Sequence, residues 1–276
     1  MTVIAMTREM ATLGKDVAAG LAERLGLEIV HHELVEHDIA ERSGFRESEV
    51  HRFLEGRASL LERWRIDRKK LSRYTAQEIL ELAAKGNMLI RGWGATYLLR
   101  SVPHVVCVRI CAPMPFRARV LMKRMGIADP VAARREIERN DAAHNGAMQR
   151  MFGIDWMDAS LYAASLNTAR IPPADCVEHI ARLSGSEAFK ETEHSRAILM
   201  DQLIDARVRA ALGARFDASL NAVGIDVLVK DGKVTLSGAI SDERLIAEIV
   251  RRVHAVDGVA GVDCQIRYLA FAPNIG

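Results

Sequence analysis

The sequence predicts an α/β fold in which a parallel sheet is covered by helices, followed by a small α+β unit. Apolar runs of strand length alternate with segments of helical periodicity from residue 2 to about 183, as expected of parallel strands joined by helical crossovers. The first repeat is a strand, an aperiodic turn and a helix that starts on the turn. Beyond a polar stretch at 185–195 the order changes to a helix, a strand hairpin, a second helix and a last strand.

The 276 residues are enough for one large or two ordinary domains, and 49% hydrophobic content supplies a core. A net charge of +2 argues against a nucleic-acid or membrane binder overall. The N-terminus lacks a charged leader followed by an apolar run, and no apolar stretch reaches about 18 residues, so the expectation is a cytoplasmic protein without a transmembrane segment. Cys107, Cys111, Cys176 and Cys264 show no C-x-x-C spacing and lie in apolar surroundings, which predicts reduced core thiols rather than a metal site or disulfides.

Thr2-Val3-Ile4-Ala5-Met6 has the length and β-branched content of a buried strand. Residues 7–14 are aperiodic, and from Lys15 the apolar residues Val17, Ala18, Leu21, Ala22 and Leu25 recur at helical spacing until Gly26 ends the helix. Gly14-Lys15 stands where the phosphate-binding loop G-x-x-x-x-G-K-[ST] carries its Gly-Lys pair. The stretch Thr12, Leu13, Gly14, Lys15 and Asp16 is therefore expected to bring helix N-terminal amides and the Lys15 ammonium onto a phosphate. Glu9 replaces the first glycine of that motif, and Asp16 replaces the hydroxyl residue that holds magnesium. Asp16 either binds magnesium directly or satisfies the first amides of its own helix, leaving Lys15 a solvated charge. Ala11 and Leu13, where glycines would let the backbone wrap phosphates, are expected to narrow the loop.

Residues 27–30 read as a second strand, and a polar helical region begins at 33–42 and runs, with breaks at Gly44 and Gly56, to Lys85. Its later part places Leu60, Leu61, Trp64, Leu71, Ile79, Leu80 and Leu82 among Arg63, Arg65, Arg68, Lys69, Lys70 and Arg73, mostly a solvated helix face. His31, His32 and His37 lack carboxylate-supported ligand spacing, which weighs against a metal site. Residues 87–91 read as a third strand entering Gly92-Trp93-Gly94, residues 95–99 as a helix start, and 104–110 as a fourth strand. Ligands of such sheets sit beyond the carboxyl ends of the strands, so the turns at 7–14 and 91–94 should face one site.

From 109 to 150 the chain carries nine arginines and lysines, among them Arg117, Arg139 and Arg150, against four carboxylates including Asp141. An arginine-rich helical pair closing over a phosphate loop suits phosphoryl transfer, which needs cations over the spread charge. The alternative is an amphipathic pair with Val120, Leu121 and Met125 inward and wet arginines. Residues 162–166 read as a fifth strand and 175–183 as a closing helix.

Taken together, residues 1–184 resemble the cytidylate kinase-like family of P-loop kinases. The opening S-R-E-x-G-S-G-G-[RK]-[ED]-[IV]-A of that family corresponds to residues 7–18. Gly92-Trp93-Gly94-Ala95 is similar to its G-R-G-A, Ile110-Cys111-Ala112-Pro113 to its A-P segment, and Gly153-Ile154-Asp155-Trp156 with Leu166-Asn167-Thr168 to its G-x-D-W and L-N-T blocks. The resemblance implies ATP and magnesium as cofactors, phosphate contacts for Lys15, Arg139 and Arg150, and a substrate region including Arg91, Trp93 and Asp141. The departures are Ala11 and Leu13 for glycines, Trp93 for the arginine of G-R-G-A, and His144 and Ala147 after the lid aspartate. Trp93 then either stacks on a base, with Arg91 carrying the displaced charge, or packs in the core.

Residues 185–195 read as a linker and 196–270 as a second domain. There, 195–212 is helical, 224–229 and 233–237 are strands joined at Lys230-Asp231-Gly232, 241–255 is an amphipathic helix with Ser241 as its N-cap, and 262–269 is a strand. Residues 227–238 and Gly258-Val259-Ala260-Gly261-Val262 resemble the BON domain, which implies an interaction module for a phospholipid surface or a protein, or one that docks on the first domain or forms a homo-oligomer. Three functions follow as expectations: ATP-dependent phosphoryl transfer to a nucleoside monophosphate such as CMP, a catalytically degenerate nucleotide-binding sensor, or an adaptor acting through the BON-like unit.

Overall fold

A computed structural model describes residues 1–30, 32–54, 67–92, 94–220 and 225–269. His31, Trp93 and the positions Leu60, Leu61, Arg63, Trp64 and Arg65 lie outside the described residues. The chain forms two compact units, Met1–Thr192 and Glu193–Gly276.

The first unit is built on five parallel strands in the order β2-β3-β1-β4-β5: β1 Val3–Arg8, β2 Glu28–Ile29, β3 Met88–Arg91, β4 Val105–Cys111 and β5 Ala164–Asn167. This is the expected parallel sheet covered by helices. β1 is central, buried along almost its whole length, with Met6 opposite Arg91 on one side and Arg8 opposite Ile110 on the other. The loops after β1, β3 and β4 therefore leave the same edge of the sheet side by side.

Helices α1 (Gly14–Leu25) and α8 (Pro173–Ser184) cover one face through a core of Ile4, Met6, Val17, Leu21, Val106, Val108, Val177 and Ile180. Gly20 permits this approach, because a Cβ there would fall 2.8 Å from Val177 Cγ2. Gly26 ends α1 in a left-handed conformation, φ 63°, with its amide on Ala22 O, as expected of a C-terminal glycine. Between β2 and β3 run α2 (His32–Ser43), α3 (Glu47–Leu54) and α4 (Arg68–Lys85); α5 (Ala95–Leu99) follows β3. The pair α6 (Met114–Met125) and α7 (Pro130–Phe152) follows β4 and shares a small core of Ala118, Leu121, Ala133 and Ile137. Val120 packs against that core, but Met125 does not: it lies in the last turn before Gly126 and is 63% exposed.

Residues 185–195, expected as a linker, are tied down at several points. Phe189 in the 3-10 turn Glu187–Phe189 packs against the main core, the Met1 ammonium meets Glu191 at 2.7 Å, and the next helix already starts at Glu193. A single half-buried aromatic in a polar stretch gives no periodicity to read.

The second unit comprises α9 (Glu193–Leu220), β6 (Ile225–Lys230), β7 (Lys233–Ile240), α10 (Arg244–His254) and β8 (Gly261–Tyr268). β6 and β7 are antiparallel, β7 and β8 parallel. Both turn residues of the hairpin, Asp231 and Gly232, have positive φ, 52° and 74°, and their amides donate to Asp201 of α9 at 2.8 Å each. The α10 helix starts later than expected: Asp242, not Ser241, accepts the Arg244 amide. Cys264 is exposed on β8, unlike the buried Cys107 and Cys176, so the expectation of four core thiols fails there. An edge strand alternates faces whatever its composition.

Candidate phosphate-binding site

Residues 9–13 connect the buried end of β1 to α1 at the carboxyl edge of the sheet. Ala11 and Leu13 both lie in the left-handed region, φ 61° and 58°. That conformation costs a residue with a Cβ about 1 kcal/mol, so the loop keeps a glycine-type backbone without the glycines. The amides of Asp16 and Val17 turn back onto Leu13 O at 3.0 and 3.2 Å. Among the described residues, the amides of residues 10–15 donate to no intramolecular acceptor. Successive unengaged amides at the start of a helix form a concavity for an anion.

The loop is fixed from below by side chains. Thr12, buried, donates its hydroxyl to Glu9 O at 2.8 Å, and its own carbonyl accepts the Thr168 hydroxyl at 2.6 Å. Thr168, just after β5, also donates its amide to Cys111 O at 3.0 Å, so one residue ties β4, β5 and the loop together. Glu9 fills the position of the missing first glycine without needing positive φ. Its carboxylate is buried, pairs with Arg109 and with Arg117 (3.3 Å), and accepts the Ala112 amide at 3.2 Å. Buried ion pairs need such additional hydrogen bonds to offset their desolvation.

The helical pair reaches the loop through Arg117 and Ala11. Arg117, 4% exposed, donates Nε to Met10 O at 2.7 Å and its two terminal nitrogens to Asp141 at 2.8 and 2.7 Å. The Ala11 methyl packs into the core of Ala118, Leu121, Ala133 and Ile137. At the far end of α7, Phe152 lies against the turn after β3: a Cβ on Gly94, φ 72°, would clash with its ring.

Lys15 and Asp16 are exposed in the first turn of α1. The site thus offers amides and an ammonium to phosphate oxygens, and the Asp16 carboxylate is the group in it that suits magnesium. Arg91 ends β3 and is partly buried. Asp141 is at the cleft but is engaged by Arg117. Arg139 is 78% exposed and pairs with Glu136 on its own helix at 3.2 Å, while Arg150 folds back over Gly146. The arginine that reaches the loop is Arg117, one of the nine cations noted in that stretch. Arg8, Glu9, Arg109 and Thr168 also escaped a reading by function. Glu9 in place of the motif's first glycine marks the position but does not announce its partners.

His144 packs edge-on against Trp156, ring centroids 4.4 Å apart. Burial, reinforced by Arg8 and opposed by Asp141, pushes it down to about 4, so this ring is neutral at physiological pH. Among the described residues, His37, Asp38 and Glu41 on α2 bring potential metal-ligand atoms within 4.8 Å, but His37 is exposed and bound to Glu47 at 2.6 Å. No described helix is long and apolar enough to cross a membrane.

Comparison with known proteins places this geometry in context. Residues 3–170 match the Cytidylate kinase-like family, and residues 201–270 match the BON domain. A cytidylate kinase of Pyrobaculum aerophilum is 27% identical over 177 residues, covering 64% of this chain and 89% of that protein. A cytidylate kinase of Methanopyrus kandleri is 28% identical over 163 residues, covering 56% and 78%. Among solved structures, an uncharacterized protein from Eubacterium ventriosum superposes with a TM-score of 0.52 at 18% identity, covering 66% of this chain and 97% of that one, a likeness of fold.

Proposed function

We propose the following function for a chain that belongs to the cytidylate kinase-like family: transfer of the γ-phosphoryl group of ATP to a nucleoside monophosphate of the CMP type. Family and fold support phosphotransferase chemistry at the coarse level; the observation that carries the finer reading is the run of unengaged amides at residues 10–15, held open by left-handed Ala11 and Leu13.

In this reading the amides and Lys15 hold the donor's phosphates and stabilise the charge that spreads over the transferred group. Asp16 would hold magnesium, which would supply neutralisation of phosphate charge. Arg91, Asp141 and Trp93 are assigned to the acceptor, and Arg139 and Arg150 would act on the phosphates only by leaving their present places over α7. The BON unit serves as a contact module for a protein or phospholipid surface, and the whole protein works in the cytoplasm. Exposed Leu228 and Tyr268 on its sheet, with Leu269 just beyond β8, support the contact role.

The test is ADP formation from ATP and magnesium against CMP, dCMP, UMP, AMP and no acceptor, with Lys15→Ala alongside. Turnover that depends on Lys15 and on one acceptor supports the reading. A second reading, a nucleotide-binding sensor, is favoured by Arg117 occupying both oxygens of Asp141. It predicts ATP binding lost in Lys15→Ala with no turnover for any acceptor.

A further inference from the structure

The sheet of the second unit ends in β6 on one side and β8 on the other, and the two edges are finished differently. On β6, α9 supplies a cap: Arg209, held by Asp205 at 2.7 Å, donates Nη2 to Val227 O at 2.8 Å. No such cap reaches β8 among the described residues. β8 runs beside β7 in unbroken parallel register, from Lys233 opposite Gly261 to Ile240 opposite Tyr268. It carries no proline, lysine or bulge, the devices that usually blunt an edge.

The ladder fixes which main-chain groups are left over. Leu269 N donates to Ile240 O at 2.9 Å, and Ile240 stands opposite Tyr268. Along a parallel ladder one residue turns both its amide and its carbonyl to the neighbouring strand, and the next turns both away. Odd-numbered residues of β8 therefore bond to β7, while Val262, Cys264, Ile266 and Tyr268 point their amides and carbonyls outward. Among the described residues those groups have no hydrogen-bond partner.

An open edge accepts another strand, and the side chains of β8 select which. The strand Gly261–Tyr268 is complementary to itself when reversed about Gln265. Set antiparallel against a second copy, Val262 stands opposite the partner's Tyr268 and Cys264 opposite the partner's Ile266. These are the outward-bonding residues, as hydrogen-bonded antiparallel pairs require. Asp263 then stands opposite the partner's Arg267, and Gln265 opposite the partner's Gln265, at the non-hydrogen-bonded positions where side chains come closest. Arg267 is exposed and has no ion-pair partner among the described residues; Asp263 accepts the Gln265 side-chain amide at 2.9 Å. Slipping the register by one ladder step either way sets Gln265 against a charge and loses both ion pairs.

We propose that β8 pairs antiparallel with β8 of a second copy of this chain, in the register centred on Gln265, so that the two sheets become one across a two-fold axis. The proposal rests on the contact role given to this unit and is independent of the kinase reading.

The test is sedimentation equilibrium of the full-length protein. Wild type should form a concentration-dependent dimer. Asp263→Arg and Arg267→Asp should each weaken it about tenfold or more, because each sets like charges opposite one another at both symmetric positions. Combining the two should restore dimerisation, which a misfolded variant would not do. Asp263 and Arg267 of one strand lie about 13 Å apart along it, so the rescue acts between chains. Cross-linking reads the register directly. With Cys264→Ser as background, Gln265→Cys should form a disulfide dimer under oxidised glutathione, since facing non-hydrogen-bonded positions bring Cα atoms to about 4.5 Å. Native Cys264 faces Ile266 of the partner subunit and should not link. A monomeric wild type, single variants that dimerise like wild type, a double variant as weak as the singles, or linkage through native Cys264 in place of Gln265→Cys overturns the proposal. Monomeric protein that binds phosphatidylglycerol vesicles overturns this seam while keeping the contact role.

Discussion

Arg117 holds both carboxylate oxygens of Asp141, 24 residues away on the next helix, while its Nε donates to the carbonyl of Met10. One guanidinium therefore joins the phosphate loop to the helical pair beside it. Removing it would strand the buried Glu9 oxygen and the Asp141 carboxylate together. Arg117→Met should cost about 3 kcal/mol of stability, the scale for breaking a buried pair, measured by urea unfolding. Arg117→Lys should recover little of this, because an ammonium cannot make the two parallel bonds to Asp141 and reach Met10 as well.

Leu13 and Ala11 hold left-handed backbone where glycine is the unstrained choice. Leu13→Gly should leave stability within about 1 kcal/mol of wild type, the relief of strain offsetting the lost side chain and the looser unfolded chain. Leu13→Val should destabilise by about 1–2 kcal/mol, because a β-branched residue is worse still at positive φ. Paired unfolding curves for the two variants check the ordering.

Thr168 donates to the Thr12 carbonyl at 2.6 Å from a buried position. Thr168→Val keeps the shape and removes the hydroxyl, leaving that carbonyl without its donor at a cost of about 1–3 kcal/mol. Nucleotide affinity should fall with it, since the carbonyl belongs to the loop. Thr168→Ser should retain both properties, as calorimetric titration and unfolding would show.

Two buried groups give stability opposite dependences on pH. Burial, opposed by Arg42 and reinforced by Asp38 and Glu81, pushes the Glu78 carboxyl up to about 7 from an ordinary 4.5. The folded state then holds the proton more tightly than the unfolded chain, so the Glu78 contribution is greatest below 4.5 and is lost as pH rises to 7. His144, pushed down from 6.5 to about 4, contributes stability above 6.5 that is lost as pH falls to 4. Glu78→Gln should therefore gain stability relative to wild type between about pH 5 and pH 8, by about 3 kcal/mol. His144→Asn should gain in the opposite direction. Denaturation at several pH values separates them.

Much of this architecture is legible from local pattern. The strand, loop and helix at residues 2–26 are marked by a β-branched run, a break in periodicity and Gly26, and Asp231-Gly232 marks the hairpin. Local pattern does not carry partners distant in sequence. Glu9 meets Arg109 across 100 residues and Thr168 meets Thr12 across 156, and nothing near either position announces it. The substitutions of glycine by Ala11 and Leu13 suggested a narrowed loop, yet the backbone keeps its left-handed turns because Glu9, Thr12 and Thr168 hold it from beneath. Met125, inward in the amphipathic alternative, stays outside the core because the helix ends before its face returns there.

The Ala11 methyl has a mechanical consequence. It is a peg from the phosphate loop set into the seam between α6 and α7. With glycine there, the helical pair could swing while the loop stayed still. With the peg in place, a swing of those helices either drags the loop backbone along or leaves a hole where the methyl sat. Opening of the cleft and the shape of its anion cradle are thus geared to each other by a single carbon atom.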